Sequence, residues 1–167
     1  TITVSGTIDI QSGAEGNYGI VTEGTSYKRR YRKVAATWLE EDKIGRVDIT
    51  SAGKVNVNGN NSVGYILVQG EGSNAGNITV NAQNALGFYG KTGKFENTGT
   101  ITLDAKKTVG IYTPKSNISK VGNIIMTNKA DSSVGVYLTQ DAKADGTGSV
   151  IDLNSNSQNQ VAYYIKG

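Results

Sequence analysis

Four glycines, Gly53, Gly76, Gly99 and Gly122, stand 23 residues apart, and each opens the same short alternation. The copies read Gly53-Lys-Val-Asn-Val57, Gly76-Asn-Ile-Thr-Val80, Gly99-Thr-Ile-Thr-Leu103 and Gly122-Asn-Ile-Ile-Met126. A second motif follows each: Val63-Gly-Tyr-Ile66, Leu86-Gly-Phe-Tyr89, Val109-Gly-Ile-Tyr112 and Val134-Gly-Val-Tyr137. Weaker copies bracket these. Gly6-Thr-Ile-Asp-Ile10 goes with Tyr18-Gly-Ile-Val21, and Ser149-Val-Ile-Asp-Leu153 with Val161-Ala-Tyr-Tyr164. A fixed period in the low twenties identifies a solenoid in which each unit adds one layer.

Leucine-rich repeats share this period, but their Leu and Asn spacing is missing, and no half of the unit has consistent helical periodicity. Each unit instead holds two short alternating strands. A weaker third precedes the next glycine by four residues, at Ile49, Phe95 and Ile118. Three strands per turn predict a triangular parallel β-helix, an all-β single domain over residues 1–167 with about six coils. Alternation sends Ile101 and Leu103 inward and Thr102 outward. Stacking then predicts one interior column of Ile8, Val55, Ile78, Ile101, Ile124 and Ile151, and another of Ile10, Val57, Val80, Leu103, Met126 and Leu153. β-Branched residues suit such columns, whose members sit about 4.8 Å apart, and the rod is on the order of 30 Å long.

The second glycine is expected at a corner where φ is positive or backbones crowd, with Ala162 in that slot counting against positive φ. The last unit drifts to 27 residues, both from Gly122 to Ser149 and from Gly135 to Ala162. Two equal slips predict one insertion ahead of both, around residues 141–147. Thr1-Ile-Thr-Val4 already reads as mid-repeat strand, so the chain is expected to be a segment of a longer protein.

A hydrophobic share of 37%, with 22 glycines and one proline, suits a thin core wrapped by strands and tight turns. The absence of cysteine removes disulfides and thiolate metal sites, and the absence of histidine removes the commonest general base. β-Helix enzymes that act on polysaccharides need carboxylates clustered on one face. The outward column of the first strand reads Asp9, Asn56, Thr79, Thr102, Ile125 and Asp152, with its two carboxylates at opposite ends, about 24 Å apart. The chain is therefore expected to be no enzyme, with no catalytic residues, metal site or cofactor. No apolar run is long enough to cross a membrane as a helix.

One interval breaks the ruler. Gly6 to Gly53 is 47 residues, while the landmarks at Gly19 and Ile49 hold, so about 24 additional residues fall within 22–45. Their composition is foreign to the repeats: Tyr27-Lys-Arg-Arg-Tyr-Arg-Lys33, Val34-Ala-Ala-Thr-Trp-Leu39, then Glu40-Glu-Asp42. Tyr27, Tyr31, Val34, Ala35, Trp38 and Leu39 make a helical stripe that Ser26 is placed to cap. Bases at the N-terminal end and acids at the C-terminal end oppose a helix dipole. A short helix packed on the rod is the favoured reading, an extended hairpin the alternative.

Lys28, Arg29, Arg30, Tyr31, Arg32, Lys33 and Trp38 form the candidate binding set, suited to an anionic glycan, a nucleic acid strand or an acidic protein face. Equally, the charges are a solvated face partly paired with Glu40, Glu41 and Asp42. A net charge of +3, mostly in one cluster, argues against a nucleic-acid footprint. Tyr89, Tyr112, Tyr137 and Tyr164 share one slot and are expected to form an aromatic ladder. Exposed rings bind sugars and proteins, but aromatic neighbours also stabilise any sheet, and the structural role is preferred.

The run from Asn97-Thr-Gly-Thr-Ile101 through Val109-Gly-Ile-Tyr112 to Val121-Gly-Asn-Ile124 resembles passenger domains of Gram-negative (type V) autotransporters. It is most similar to long fusobacterial-type adhesins built from Asn-x-Gly-x-Ile and Val-Gly-Ile-Tyr units. The resemblance covers nearly all of the chain outside 22–45, and the basic insert matches no motif of that family. It implies a right-handed parallel β-helix at the cell surface, exported through an outer-membrane translocator barrel outside this chain. It also implies adhesion to a protein or glycan receptor on host cells or other bacteria. A cysteine-free chain fits passage through such a barrel. The expectation is an adhesin segment whose stalk presents one recognition insert. The alternatives are a purely structural spacer with binding elsewhere and, last, a polysaccharide-active enzyme.

Overall fold

The computed structural model describes the backbone of residues 1–24, 27–34 and 37–167, and the side chains of residues 1–24 and 44–167. Three parallel six-stranded sheets each receive one strand per coil. Sheet A stacks Ile2–Val4, Arg46–Ile49, Glu71–Asn74, Lys94–Asn97, Asn117–Lys120 and Lys143–Ala144. Sheet B stacks Thr7–Ile10, Lys54–Val57, Asn77–Val80, Thr100–Leu103, Asn123–Met126 and Val150–Asp152. Sheet C stacks Tyr18–Glu23, Val63–Gln69, Leu86–Gly90, Val109–Thr113, Val134–Thr139 and Val161–Lys166. The chain visits A, B and C in turn, so the coils rise through five interstrand steps, roughly 24 Å. The corners join the same ladder: the Asn77 amide donates to the Gly53 carbonyl at 3.1 Å, and Thr100 to Gly76 at 3.0 Å.

The interior columns follow the alternation. Val55, Ile78, Ile101 and Ile124 are in register and fully buried. Val57, Val80, Leu103 and Met126 form the second column, but Leu153 lies beyond the last sheet B strand and is 50% exposed.

Crowding, not φ, explains the second glycine. None of Gly64, Gly87, Gly110 and Gly135 lies in the left-handed region. A Cβ on Gly110 would sit 2.6 Å from the Gly135 carbonyl oxygen and 3.2 Å from Ile124 Cδ1. Each glycine thus lets one coil settle on the next and makes room for the isoleucine column across the core. A left-handed residue does recur elsewhere, two before each sheet C strand: Gly16, Asn61, Asn84, Lys107, Ser132 and Asn159, with φ from +55° to +68°. Asparagine tolerates that conformation by bonding locally, whereas Lys107 and Ser132 hold it against their intrinsic preference.

In the middle coils the core is aromatic. Phe88 and Phe95 stack at 3.8 Å between ring centroids, and Tyr65 lies 5.6 and 5.3 Å from them. Gly72 makes this cluster fit, since a Cβ there would come within bonding distance of the Tyr65 hydroxyl. That hydroxyl donates to the Val47 carbonyl at 2.9 Å and lies 3.3 Å from Thr22 Oγ1. Burial pushes the Tyr65 pKa from 10.0 up to about 12, only partly offset by the Thr22 hydrogen bond. The folded value exceeds the unfolded one, so the associated stability is fully present below pH 10 and is lost as pH rises toward 12. At about 1.4 kcal/mol per unit that is about 3 kcal/mol. Denaturant titrations at increasing pH should show this loss in the wild type and much less of it in Tyr65→Phe.

The drift of the last units is not one insertion at 141–147. The register step is 23 from Ile101 to Ile124, 25 from Tyr112 to Tyr137, 26 from Ile118 to Ala144 and 27 from Ile124 to Ile151. The slip is spread over successive corners, where a lengthened turn costs little because it bulges into solvent.

Candidate interaction surfaces

The insert is a β-hairpin, and the helix expected for 22–45 is not formed. Tyr27–Val34 and Thr37–Lys43 pair antiparallel, with Lys28 opposite Asp42, Arg29 opposite Glu41 and Arg30 opposite Glu40. Opposite charges on facing positions contribute about 0.2–1 kcal/mol each, whereas the same order along a helix opposes its dipole. The apolar spacing that mimicked a helical stripe puts Tyr31 opposite Leu39, and Arg32 falls opposite Trp38. Tyr27, Tyr31 and Val34 on one strand and Thr37 and Trp38 on the other are the residues that favour extended chain, among strands otherwise dominated by charge. Register places Lys28, Arg29, Arg30, Tyr31, Arg32, Lys33 and Trp38 on the hairpin, and their side chains lie outside the described residues. Ser26 and Ala35 lie outside them altogether.

The hairpin is rooted in a two-glycine neck. A Cβ on Gly24 would lie 2.3 Å from Gly45 Cα, and one on Gly45 would lie 2.5 Å from Gly24 Cα. No side chain fits there. The Gly45 carbonyl accepts from the Glu71 amide at 2.9 Å, joining the corner stack continued by Gly70 and Gly93. Thr22 pairs with Leu67 and Val47 with Gly72, so 25 residues in the first coil do the work of five in the next. The insertion proper is therefore the 20 residues 25–44. The other four of the 24 expected from the sequence fall in lengthened turns, 11–17 against 58–62 and 50–53 against 75–76.

Charge follows the same division. Residues 27–43 carry six basic and three acidic side chains; outside them the chain holds eleven of each. The rod is formally neutral, and the whole excess of +3 sits on the hairpin. Past the neck, Arg46 bridges Asp48 at 2.8 Å and Glu71 at 2.9 Å, and Ser73 donates to Asp48 at 2.6 Å. Burial would raise the Asp48 pKa, but these hydrogen bonds and the Arg46 charge outweigh it and the net shift is downward. The group is one-quarter to two-fifths exposed, so it fixes the strand leaving the neck more than it stabilises the fold. An open cleft of about 260 Å³ beside the neck is lined by Ile44, Gln69, Gly70, Glu71, Thr92, Gly93 and Lys94.

The tyrosine ladder forms as expected on the outer face of sheet C. Ring centroids are 5.4 Å apart for Tyr89 and Tyr112, 4.9 Å for Tyr112 and Tyr137, and 4.9 Å for Tyr137 and Tyr164. Register continues the column through Ile66 to Val21. Asp9 accepts from Asn56 at 2.7 Å at one end of sheet B, with Asp152 in the last strand at the other. Among the described residues, no three His, Cys, Asp or Glu side chains gather where they could hold a metal ion. The Asn-x-Gly units have an internal explanation: Asn74 Nδ2 donates to Asn97 Oδ1 at 2.8 Å and Asn97 Nδ2 to the Val121 carbonyl at 2.7 Å, both fully buried. These side chains close the corner between sheets A and B.

No family model, curated protein or solved structure matches the chain. Geometry alone defines its class: a parallel β-solenoid carrying one charged hairpin at a corner.

Proposed function

We propose that the chain is a segment of an autotransporter-type surface adhesin, a β-helical stalk that presents the 25–44 hairpin to a protein or glycan receptor on host cells or other bacteria. The observation that carries this reading is the division of charge, a neutral rod and a net +3 hairpin standing off it on Gly24 and Gly45. Stalks position such loops and tolerate their variation, which makes them natural carriers of recognition. The resemblance of the repeats to autotransporter passengers supports the surface location and a translocator barrel elsewhere in the parent protein. The ligand chemistry that fits is anionic: a sulfated or uronate-rich glycan or an acidic protein face.

Changing Lys28, Arg29, Arg30, Arg32 and Lys33 to serine tests it. Binding to cells and to an array of anionic glycans should weaken at least about tenfold, with loss of its salt dependence. Unchanged binding would remove the hairpin from the mechanism. The second reading is a structural spacer, favoured by the acids that face three of the basic positions. It expects no binding from the unaltered chain at any ionic strength.

A further inference from the structure

The register of the hairpin divides its charge further. Its three acids, Asp42, Glu41 and Glu40, stand opposite Lys28, Arg29 and Arg30, all in the half of the ribbon nearer the neck. Beyond them Arg32 stands opposite Trp38, and Lys33 is the extra residue of a bulge between Arg32 and Val34. Lys43, opposite Tyr27 at the neck, is the remaining base. Six bases less three acids leave three positive charges, and register places two of them, Arg32 and Lys33, at the far end beside the tryptophan.

Trp38 is the chain's only tryptophan, and it falls where the fold has least use for it. The rod buries its large rings, Tyr65, Phe88 and Phe95, in the core. Tyr27–Val34 and Thr37–Lys43 form a sheet of two, and a two-stranded ribbon has no interior in which to enclose an indole. The bulge adds a second sign, because bulges recur beside binding sites, where they re-aim a side chain or end the pairing.

An indole, a guanidinium and an ammonium at neighbouring register positions suit a ring that carries one anion. Facing positions lie about 5 Å apart, a span that a single sugar ring bridges. The flat face of an indole takes the C–H face of a sugar, and the planar fork of arginine matches a carboxylate with two parallel hydrogen bonds. An acidic protein face would instead match positive charge spread along the ribbon, and here the acids offset it over the half nearer the neck.

We propose that the far end of the hairpin is a subsite for one acidic sugar, a uronate whose ring lies on Trp38 and whose carboxylate is held by Arg32 and Lys33. The assignment deepens the reading of the hairpin as the recognition element and rests on it. Lys28, Arg29 and Arg30 then hold the two strands together and leave the ligand to the far end.

A single tryptophan makes its emission a reporter of this subsite alone. The full chain is titrated with a uronate-terminated oligosaccharide, with calorimetry measuring binding independently. The tryptophan emission should change saturably, and the carboxyl-reduced oligosaccharide should leave it unmoved. Arg32→Thr/Lys33→Thr should weaken binding at least about tenfold, and Trp38→Thr should weaken it more than Trp38→Phe. Threonine keeps the strand propensity of these positions. The control exchanges acid and base in each facing pair: Lys28→Asp/Asp42→Lys, Arg29→Glu/Glu41→Arg and Arg30→Glu/Glu40→Arg. It keeps the net charge and the cross-strand pairs, and should bind within about twofold of wild type. If the full exchange disturbs the strands, Lys28→Asp/Asp42→Lys alone carries the same expectation.

Binding that leaves the emission unchanged overturns the assignment. So does binding that the exchange abolishes and Arg32→Thr/Lys33→Thr keeps; either result leaves the hairpin as the recognition element. Tighter binding of an oligoglutamate peptide, or no binding of the uronate by the unaltered chain, overturns the sugar. Cell binding that survives the loss of all five bases from Lys28 to Lys33 is the separate outcome that removes the hairpin reading itself.

Discussion

Gly110→Ala should destabilise the rod by about 3 kcal/mol, an unusually large effect for one methyl group. The added carbon would sit 2.6 Å from a backbone carbonyl of the next coil, which no rotamer change can relieve. Two coils would have to separate, stretching the ladder bonds on either side, each worth about 0.5–1.5 kcal/mol. The midpoint of thermal unfolding should fall by roughly 5–10 °C. Gly6→Ala is the control, because nothing lies within 4 Å of the new carbon and φ there is not positive. Losing glycine's unfolded-state freedom should leave that variant neutral or stabilised by up to about 1 kcal/mol. Equal losses at the two positions would contradict the crowding explanation.

Gly72→Val should be as damaging, about 3 kcal/mol or more, because its Cβ would drive into the Tyr65 ring at the centre of the core. Here the clash is with a side chain, so it can be relieved. Gly72 shares its column with Val47, Phe95 and Ile118, and Tyr65 shares its own with Ile20, Phe88 and Ile111. Gly72→Val with Tyr65→Ile therefore restores the ordinary volume of a coil. The double variant should recover at least half of the loss, a coupling above about 1.5 kcal/mol in a double-mutant cycle. Additive losses would mean that the two positions do not fill one space.

The sequence carries this fold legibly because a solenoid repeats its contacts. Val55, Ile78, Ile101 and Ile124 meet at the period that separates them, so counting alone places them in one column. What counting misses is whatever breaks translational symmetry. The partnership of Tyr65 with Gly72 occurs in one coil only, and neither residue announces the other. Lys107 and Ser132 hold a left-handed backbone that their identities do not advertise, because the corner around them imposes it. In the insert, one apolar spacing fits both a helix and a hairpin over a dozen residues, and only the cross-strand charge order separates the two. The aromatic ladder was readable from its slot, but sequence does not give its ring orientations, stacked for one pair and tilted for the other two.

The neck supplies the most direct test. A Cβ on either Gly24 or Gly45 would lie within 2.5 Å of the other's Cα, so excising 25–44 and joining the two glycines has only a short gap to close. Binding of the excised chain to receptor-bearing cells, measured against the full chain at equal concentration, puts the division of labour to trial. A β-rich spectrum and an unchanged melting transition serve as the fold control. The expected result is an intact rod with binding reduced to background. An excised chain that binds as tightly as the original, or a rod that no longer folds, would contradict the separation of a neutral scaffold from its charged hairpin.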